Sequence, residues 1–288
     1  MYQPKISIIT VVYNRVHTIE QLLASVIDQT YPNIEFIIID GGSTDGTVDL
    51  IKKYESSIAK WVSEPDSGIY NAMNKGIAFA TGDYIEIIGS DDAMIGKDAI
   101  ANIIPELEDK PDILSCTEYM VYPKEKRQKI YSNMEPRNKL TYKGGMVGHA
   151  AMFAKRELFD KYPFDEKYRI VSDYKFFLQC YFDENVRIKY IDTPVVFFET
   201  GNEGASANIE ACWAEDDMVY QELNLPFNDA KRTKNERPYY KRLIIMLMNF
   251  FGITDRIRYI KNMYLSCKKH TCKNRICRWC GRYGDREI

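Results

Sequence analysis

Ile34-Glu35-Phe36-Ile37-Ile38-Ile39-Asp40-Gly41-Gly42-Ser43-Thr44-Asp45-Gly46 is an almost continuously apolar run that stops at a carboxylate and enters a glycine-rich turn. Apolar side chains at successive positions leave neither face to water, so Ile34 to Ile39 predicts a strand covered on both sides, as in a parallel sheet. Parallel strands need crossovers, and the flanking sequence supplies them. Ile6 to Val12 predicts a strand ending at Tyr13-Asn14, and Ile19, Leu22, Leu23, Val26 and Ile27 then recur at helical spacing, with Thr18 and Gln21 offering a capping box. Val48, Leu50 and Ile51 begin another helix, Lys60 to Ser63 a shorter strand, Ile69, Met73 and Ile77 a third helix, and Tyr84 to Ile88 a fourth strand. The alternation predicts an α/β fold, a mostly parallel sheet flanked by helices. Such sheets bind ligands at the carboxyl ends of their strands. Asn14, Asp40, Asp66 and Asp91 each fall at or just past such an end, so four polar residues converge on one rim.

Past Asp92 the pattern loosens into a helix near Lys97 to Leu107, a strand near Ile113 to Tyr122 and a polar hairpin around Lys124 to Ile130. His149 to Phe159 and Asp173 to Phe182 are expected to pack further structure on the sheet. With 288 residues and 45% hydrophobic content, the chain can bury one large domain plus an appendage. We place the domain at residues 1–230 and a basic helical extension at 231–288. That extension holds 16 Lys or Arg against 4 Asp or Glu, inside a chain whose formal net charge is only -2. An acidic body with a basic tail points the tail toward an anionic surface.

No positively charged start followed by an apolar run opens the sequence, so a secretory signal is not expected and a cytoplasmic location is. Seven cysteines, an odd count, argue against a disulfide framework.

Asp91-Asp92 is the sharpest local feature, because adjacent carboxylates repel unless a cation or proton lies between them. Hard oxygen ligands would suit Mg²⁺ or Mn²⁺ on a diphosphate. The pair equally suits the N-terminus of a helix running from Ala93 to Ile104. The loop from Gly41 to Gly46 lacks the spacing of a dinucleotide fingerprint and of a Walker loop, which weakens any case for NAD or ATP.

Four ordered blocks resemble glycosyltransferase family 2. They are Ser7-Ile8-Ile9-Thr10-Val11-Val12-Tyr13-Asn14, Asp40-Gly41-Gly42-Ser43-Thr44-Asp45-Gly46-Thr47, the run from Glu64-Pro65-Asp66-Ser67-Gly68 to Asn74-Lys75-Gly76, and Thr81-Gly82-Asp83-Tyr84 leading to Ser90-Asp91-Asp92. Gly148 to Phe153 and Val171 to Phe177 are similar to the family's acceptor-side segments. The resemblance covers roughly residues 4 to 200. It implies the GT-A fold, a Rossmann-like sheet, and an inverting transfer of sugar from a nucleotide diphosphate sugar, most commonly a UDP-sugar, to a glycan or lipid-linked acceptor of surface polysaccharide biosynthesis.

Carried over residue by residue, the resemblance implies a nucleotide-sugar set of Val12, Tyr13, Asn14, Asp40, Gly42, Asp66, Asn71, Lys75, Ser90 and Asp91. Asp40 would contact the base and Asp66 would close the nucleotide pocket. Asp91, assisted by Asp92, would hold Mg²⁺ or Mn²⁺, although the first aspartate of the family's D-x-D element is here Gly89. Asp173 would be the catalytic base and His149 an acceptor-side residue. Position alone favours Asp173 as a residue opening a helix, His149 as a structural histidine and Lys75 as a solvated helix residue. The missing aspartate at Gly89 also keeps open a protein that binds nucleotide sugar without turnover.

The tail carries two further readings. Leu243, Ile244, Leu247, Met248 and Phe251, flanked by Lys241, Arg242, Arg256, Arg258 and Lys261, form an apolar stripe suited to an anionic membrane surface or to packing on the domain. The run is too short to cross a bilayer. Cys267-x4-Cys272-x4-Cys277-x2-Cys280, with His270 nearby, invites a zinc reading, yet only Cys277 and Cys280 have the spacing of a paired knuckle. A nucleic-acid partner has only the charge count behind it and is not expected.

Overall fold

The computed structural model describes residues 2–123, 127–131, 148–200, 208–225, 268–270, 272–280, 282–283 and 286–287. The run from Ile34 forms β2 (Ile34–Asp40), buried at every position after the first. β1 (Ile6–Val12) lies parallel to it, with Ile6 opposite Ile34 and Val12 opposite Asp40. β3 (Lys60–Ser63) adds in parallel to β2, and β4 (Tyr84–Ile87) in parallel to β1. The crossovers are α1 (Ile19–Ile27), α2 (Thr47–Lys53) and α3 (Ile69–Phe79).

Side chains alternate across a strand, so the two faces of this sheet feed two cores. Ile6, Ile8, Phe36 and Ile38 pack with Leu22 and Leu23 of α1 on one face. Ile9, Ile37 and Ile39 pack with Tyr70 and Met73 of α3 on the other. Full burial of each such side chain contributes about 1.5–3 kcal/mol. On the second face α3 comes so close that a Cβ at Gly76 would stand 2.5 Å from Ile9 Cγ2.

The remaining elements extend the sheet beyond β4. They are β5 (Ala93–Met94), α4 (Ala99–Ile103), β6 (Ile113–Tyr122), β7 (Arg127–Tyr131), β8 (Met152–Lys155), α5 (Arg156–Lys161), α6 (Ser172–Phe182), β9 (Ile188–Glu199) and α7 (Ile209–Glu222). β8 runs antiparallel between β4 and β6, β9 is parallel to β6, and β5 is antiparallel to β9. Near the end of the chain are β10 (Lys268–Lys269), which pairs with β7, and the two-residue strands β11 (Arg282–Tyr283) and β12 (Arg286–Glu287).

Three expectations change here. Thr18 makes no cap to α1; its hydroxyl donates instead to the Ser90 and Arg15 carbonyls, 2.9 and 3.4 Å away, because the loop after β4 lies against it. No helix starts after Asp92, since Ala93–Met94 pairs with β9 and the helix waits until Ala99. The described residues from Lys268 onward form short strands and turns rather than helix, docked on the sheet through Cys277 and Trp279 against Ala93, Val121 and Phe197. The apolar stripe from Leu243 to Phe251 lies outside the described residues. Among the described residues no helix is long and apolar enough to cross a membrane.

Glu35 fastens the amino-terminal edge of the parallel strands. Its carboxylate accepts from Lys5 Nζ at 2.9 Å, Ser7 Oγ at 2.6 Å, and both the amide and the hydroxyl of Thr81 at 2.8 Å. Burial pushes its pKa up, and these hydrogen bonds outweigh it, holding the group at about 2. A depressed folded pKa contributes stability that is complete above the unfolded value and is lost as pH falls toward 2. Glu35→Gln is expected to cost about 1–3 kcal/mol at neutral pH, with a smaller difference from the parent at pH 3. Urea melts at the two pH values check this.

Candidate active site

The loops following β1, β2 and β4 meet on one edge because β1 lies between the other two strands. Asn14, at φ 50°, turns its amide to Ser43 Oγ at 2.7 Å, and its Oδ1 accepts from the Thr44 amide at 2.9 Å. Asp45 accepts from the Val16 amide at 3.0 Å. The Thr18 hydroxyl on Ser90 joins the loop after β4 to the same array.

Asp40 ends β2 fully buried. Its Oδ2 accepts from the amides of Gly42 and Ser43 at 3.1 and 2.9 Å and from Ser63 Oγ at 2.6 Å. Oδ1 is a buried oxygen without a hydrogen-bond partner. The Gly41 amide donates to Val12 O at 2.9 Å, which prolongs the β1 pairing into the turn, and Gly42 takes φ +83°. A Cβ at Gly41 would stand 2.5 Å from Asp66 Oδ2 and 3.5 Å from the ring of Tyr13, so only glycine lets these groups close over the turn. Tyr13 is 60% exposed beside this turn. Asp66 is steadied by its own loop, its Oδ1 accepting from the Gly68 amide at 2.9 Å.

Asp91 and Asp92 have opposite surroundings. Asp92 is buried, and its Oδ1 accepts from the Glu199 amide of β9 at 2.8 Å. Burial first, and the neighbouring Asp91 charge second, push its pKa well above the usual carboxylate range. Asp91 is half-buried. A Cβ at Gly89 would lie 3.0 Å from Asp91 Oδ1 and 2.7 Å from Asp92 Oδ2, so the position where a first D-x-D aspartate would stand is packed by the other two.

Asp173 stands in the first turn of α6, buried, with Oδ1 accepting from Tyr70 Oη at 2.7 Å and from the Tyr174 amide at 3.0 Å. Burial, then the charge of Asp173, raise the Tyr70 phenol well above its ordinary pKa, so it stays a donor. Oδ2 lies 3.4 Å from His149 Nδ1. Asp173 and His149 share a cavity with Met73, Ile85 and Ile87, the last of these just upstream of Asp91 on β4. Glu118 packs against Gly148, and burial pushes its pKa up to about 7.

Two expected residues have partners elsewhere. Lys75 pairs with Glu64 at 2.8 Å, and Asn71 donates to Glu166 at 3.0 Å. Several supporting residues carried no signal in the sequence. Glu215 of α7 accepts from the amides of Arg169, Ile170 and Val171 at 2.9, 2.8 and 3.2 Å. The Arg169 guanidinium donates to Ser67 O at 2.7 Å, joining the approach to α6 to the Asp66 loop. Contacts so distant in the chain leave no periodic or local trace.

Comparison with known proteins bears on the family and the fold. The family model described as glycosyl transferase family 2 matches residues 7–163, more than half of the chain. A PGL/p-HBAD biosynthesis glycosyltransferase of Mycobacterium bovis (strain BCG / Pasteur 1173P2) is 27% identical over 203 residues, 69% of this chain and 78% of that protein. In structure, S. aureus TarS 1–349 in complex with UDP-GlcNAc superposes with a TM-score of 0.59 at 18% identity, over 79% of this chain and 69% of the other. The chain spans 41% of the longer TarS chain. The mannosyltransferase PcManGT of Pyrobaculum calidifontis, in complex with GDP-Man and Mn²⁺, also gives 0.59, at 19% identity, over 77% and 64% of the two chains. These neighbours have the GT-A fold. With the matching model running from β1 through α5, the chain belongs to glycosyltransferase family 2.

Proposed function

We propose that this glycosyltransferase moves a sugar with inversion from a nucleotide diphosphate sugar, a UDP-sugar in our reading, to a glycan or lipid-linked acceptor of surface polysaccharide biosynthesis. The observation that carries the proposal is the grouping of Tyr13 and Asp66 around Gly41, next to the buried Asp40 and beside the turn that carries Asp91. Asp40 Oδ1 has an acceptor to spare, which a base or ribose donor would reach only once the groups covering it move aside, and the exposed Tyr13 ring offers a surface for stacking. Asn14, Val12 and Gly42 shape this turn through the backbone, and Ser90 holds its end against Thr18.

The donor set at the β4 turn fits Mg²⁺ or Mn²⁺, because one protein carboxylate plus diphosphate oxygens suffices for such ions. Asp91 would hold the ion, and Asp92, turned inward to Glu199, would position the turn rather than serve as a second ligand. When bound, the cation offsets the charge that develops on the departing diphosphate. Asp173 would take the acceptor hydroxyl proton through Oδ2, while Tyr70 and the Tyr174 amide hold Oδ1. His149, 3.4 Å away, would orient the acceptor against that oxygen. The Asn71–Glu166 and Lys75–Glu64 pairs would have to open before either residue met a donor. An attacking oxygen and a leaving diphosphate on opposite sides of the sugar give a single displacement with inversion.

A melting screen of UDP, GDP and dTDP sugars, each with Mn²⁺ or with EDTA, tests the reading. A UDP-sugar with Mn²⁺, at 100-fold over its Kd, is expected to raise Tm by roughly 5–10 °C, and EDTA to remove most of the shift. No shift with any nucleotide sugar would overturn it.

A further inference from the structure

We propose that His270, Cys272, Cys277 and Cys280 bind one structural Zn²⁺ ion that staples the end of the chain behind the Asp91-Asp92 turn. One ligand atom from each of the four lies within 4.8 Å of all the others. His270 Nε2 stands 3.4 Å from Cys277 Sγ, and Cys272 Sγ stands 3.5 Å from Cys280 Sγ. A disulfide needs sulfurs about 2.05 Å apart, so this sulfur pair is not bonded. Around a tetrahedral zinc, bond lengths near 2.0 Å to nitrogen and 2.3 Å to sulfur put nitrogen and sulfur about 3.5 Å apart and two sulfurs about 3.8 Å apart. The side chains thus already stand close to the edges of such a tetrahedron.

Sulfur-rich donors select zinc over Mg²⁺ or Mn²⁺, which separates this site chemically from the carboxylates at the rim. Four protein ligands leave no open position, as in structural rather than catalytic zinc sites. The surroundings also suit a charged thiolate cluster shielded from water. His270 and Cys277 are buried, and the rings of Phe197 and Trp279 meet the imidazole edge-on at 4.9 and 5.3 Å. A segment this short has too few apolar residues to close its own core, and metal ligation supplies the missing constraint. Reading the spacing from Cys267 obscured the set, because the structure recruits His270 with the last three cysteines. Cys267 lies outside the described residues.

What the knuckle fastens is adjacent to the rim. Asn274 donates to Met94 O at 2.7 Å and accepts from the Gly96 amide at 2.8 Å, clasping the segment after β5 from both sides. The Arg278 amide donates to Gln21 Oε1 at 2.7 Å, and its Nη2 donates to the carbonyl of Asp91 at 2.6 Å. Arg278 also pairs with Glu199, which accepts from Trp279 Nε1 at 2.7 Å and whose own amide holds Asp92.

The test is metal content, which requires no nucleotide sugar and no turnover. Full-length protein, expressed with added zinc and desalted, is expected to carry about one zinc per chain, released in equal amount by a mercurial thiol reagent. The Co²⁺-substituted protein should show thiolate charge-transfer absorption with tetrahedral visible bands. Cys277→Ser should lose the zinc and Cys212→Ser should retain it. If Cys277→Ser does not fold, the cobalt spectrum of the unaltered chain decides by itself. Zinc well below stoichiometry, a cobalt spectrum without thiolate bands, or a disulfide among Cys272, Cys277 and Cys280 would each overturn the proposal.

Discussion

Replacing Asp173 by Asn is expected to lower turnover by about 10²–10⁴-fold while leaving donor binding near that of the parent. Asparagine keeps the size of the side chain and an oxygen to accept from Tyr70 and the Tyr174 amide, the two contacts that fix Oδ1. What it removes is the ability of the other oxygen to accept a proton, and that atom stands 3.4 Å from His149 Nδ1. Transfer measured with donor and acceptor, beside the donor-induced rise in Tm, separates loss of the base from loss of the fold. An unchanged rate would remove Asp173 from the chemistry.

Asp91→Ala is expected to act on the donor instead. Only Asp91 of the pair retains exposure at the rim, so its loss should abolish the Mn²⁺-dependent part of the donor Tm shift and cost about 10²–10³-fold in turnover. The turn itself should survive, because Arg278 holds it through the Asp91 carbonyl and Thr18 through the Ser90 carbonyl, neither of which the substitution removes. Metal titration of parent and variant, followed by Tm, measures the difference. If the variant bound donor with the parent's metal dependence, the ligand assignment would fail.

Most of the parallel half of the fold was legible because its signals are local. Continuous burial of β2 and helical spacing in α1 and α3 each lie within a dozen residues. The helix placed near Lys97 to Leu107 stands at Ala99–Ile103, and the alternative that starts it at Ala93 fails for a tertiary reason. Ala93 and Met94 pair with Phe197 and Val196, roughly a hundred positions later, and that pairing overrides a local helical pattern. Thr18 likewise had the right residue type for a cap and met a carbonyl from another loop. At the rim, Asp40 and Asp66 could be nominated from their places after strands, whereas the inward turn of Asp92 depends on an amide in β9. The basic count of the tail concealed a folded end in which Arg275 spends its charge on Asp28 and Arg278 on Glu199.

Three consecutive amides ahead of α6 hang from the single carboxylate of Glu215, so the distance along the chain between α6 and α7 is decoupled from the placement of Asp173. Residues can be inserted between β9 and α7 as long as β9 keeps its pairing with β5 and β6 and α7 returns to its seat.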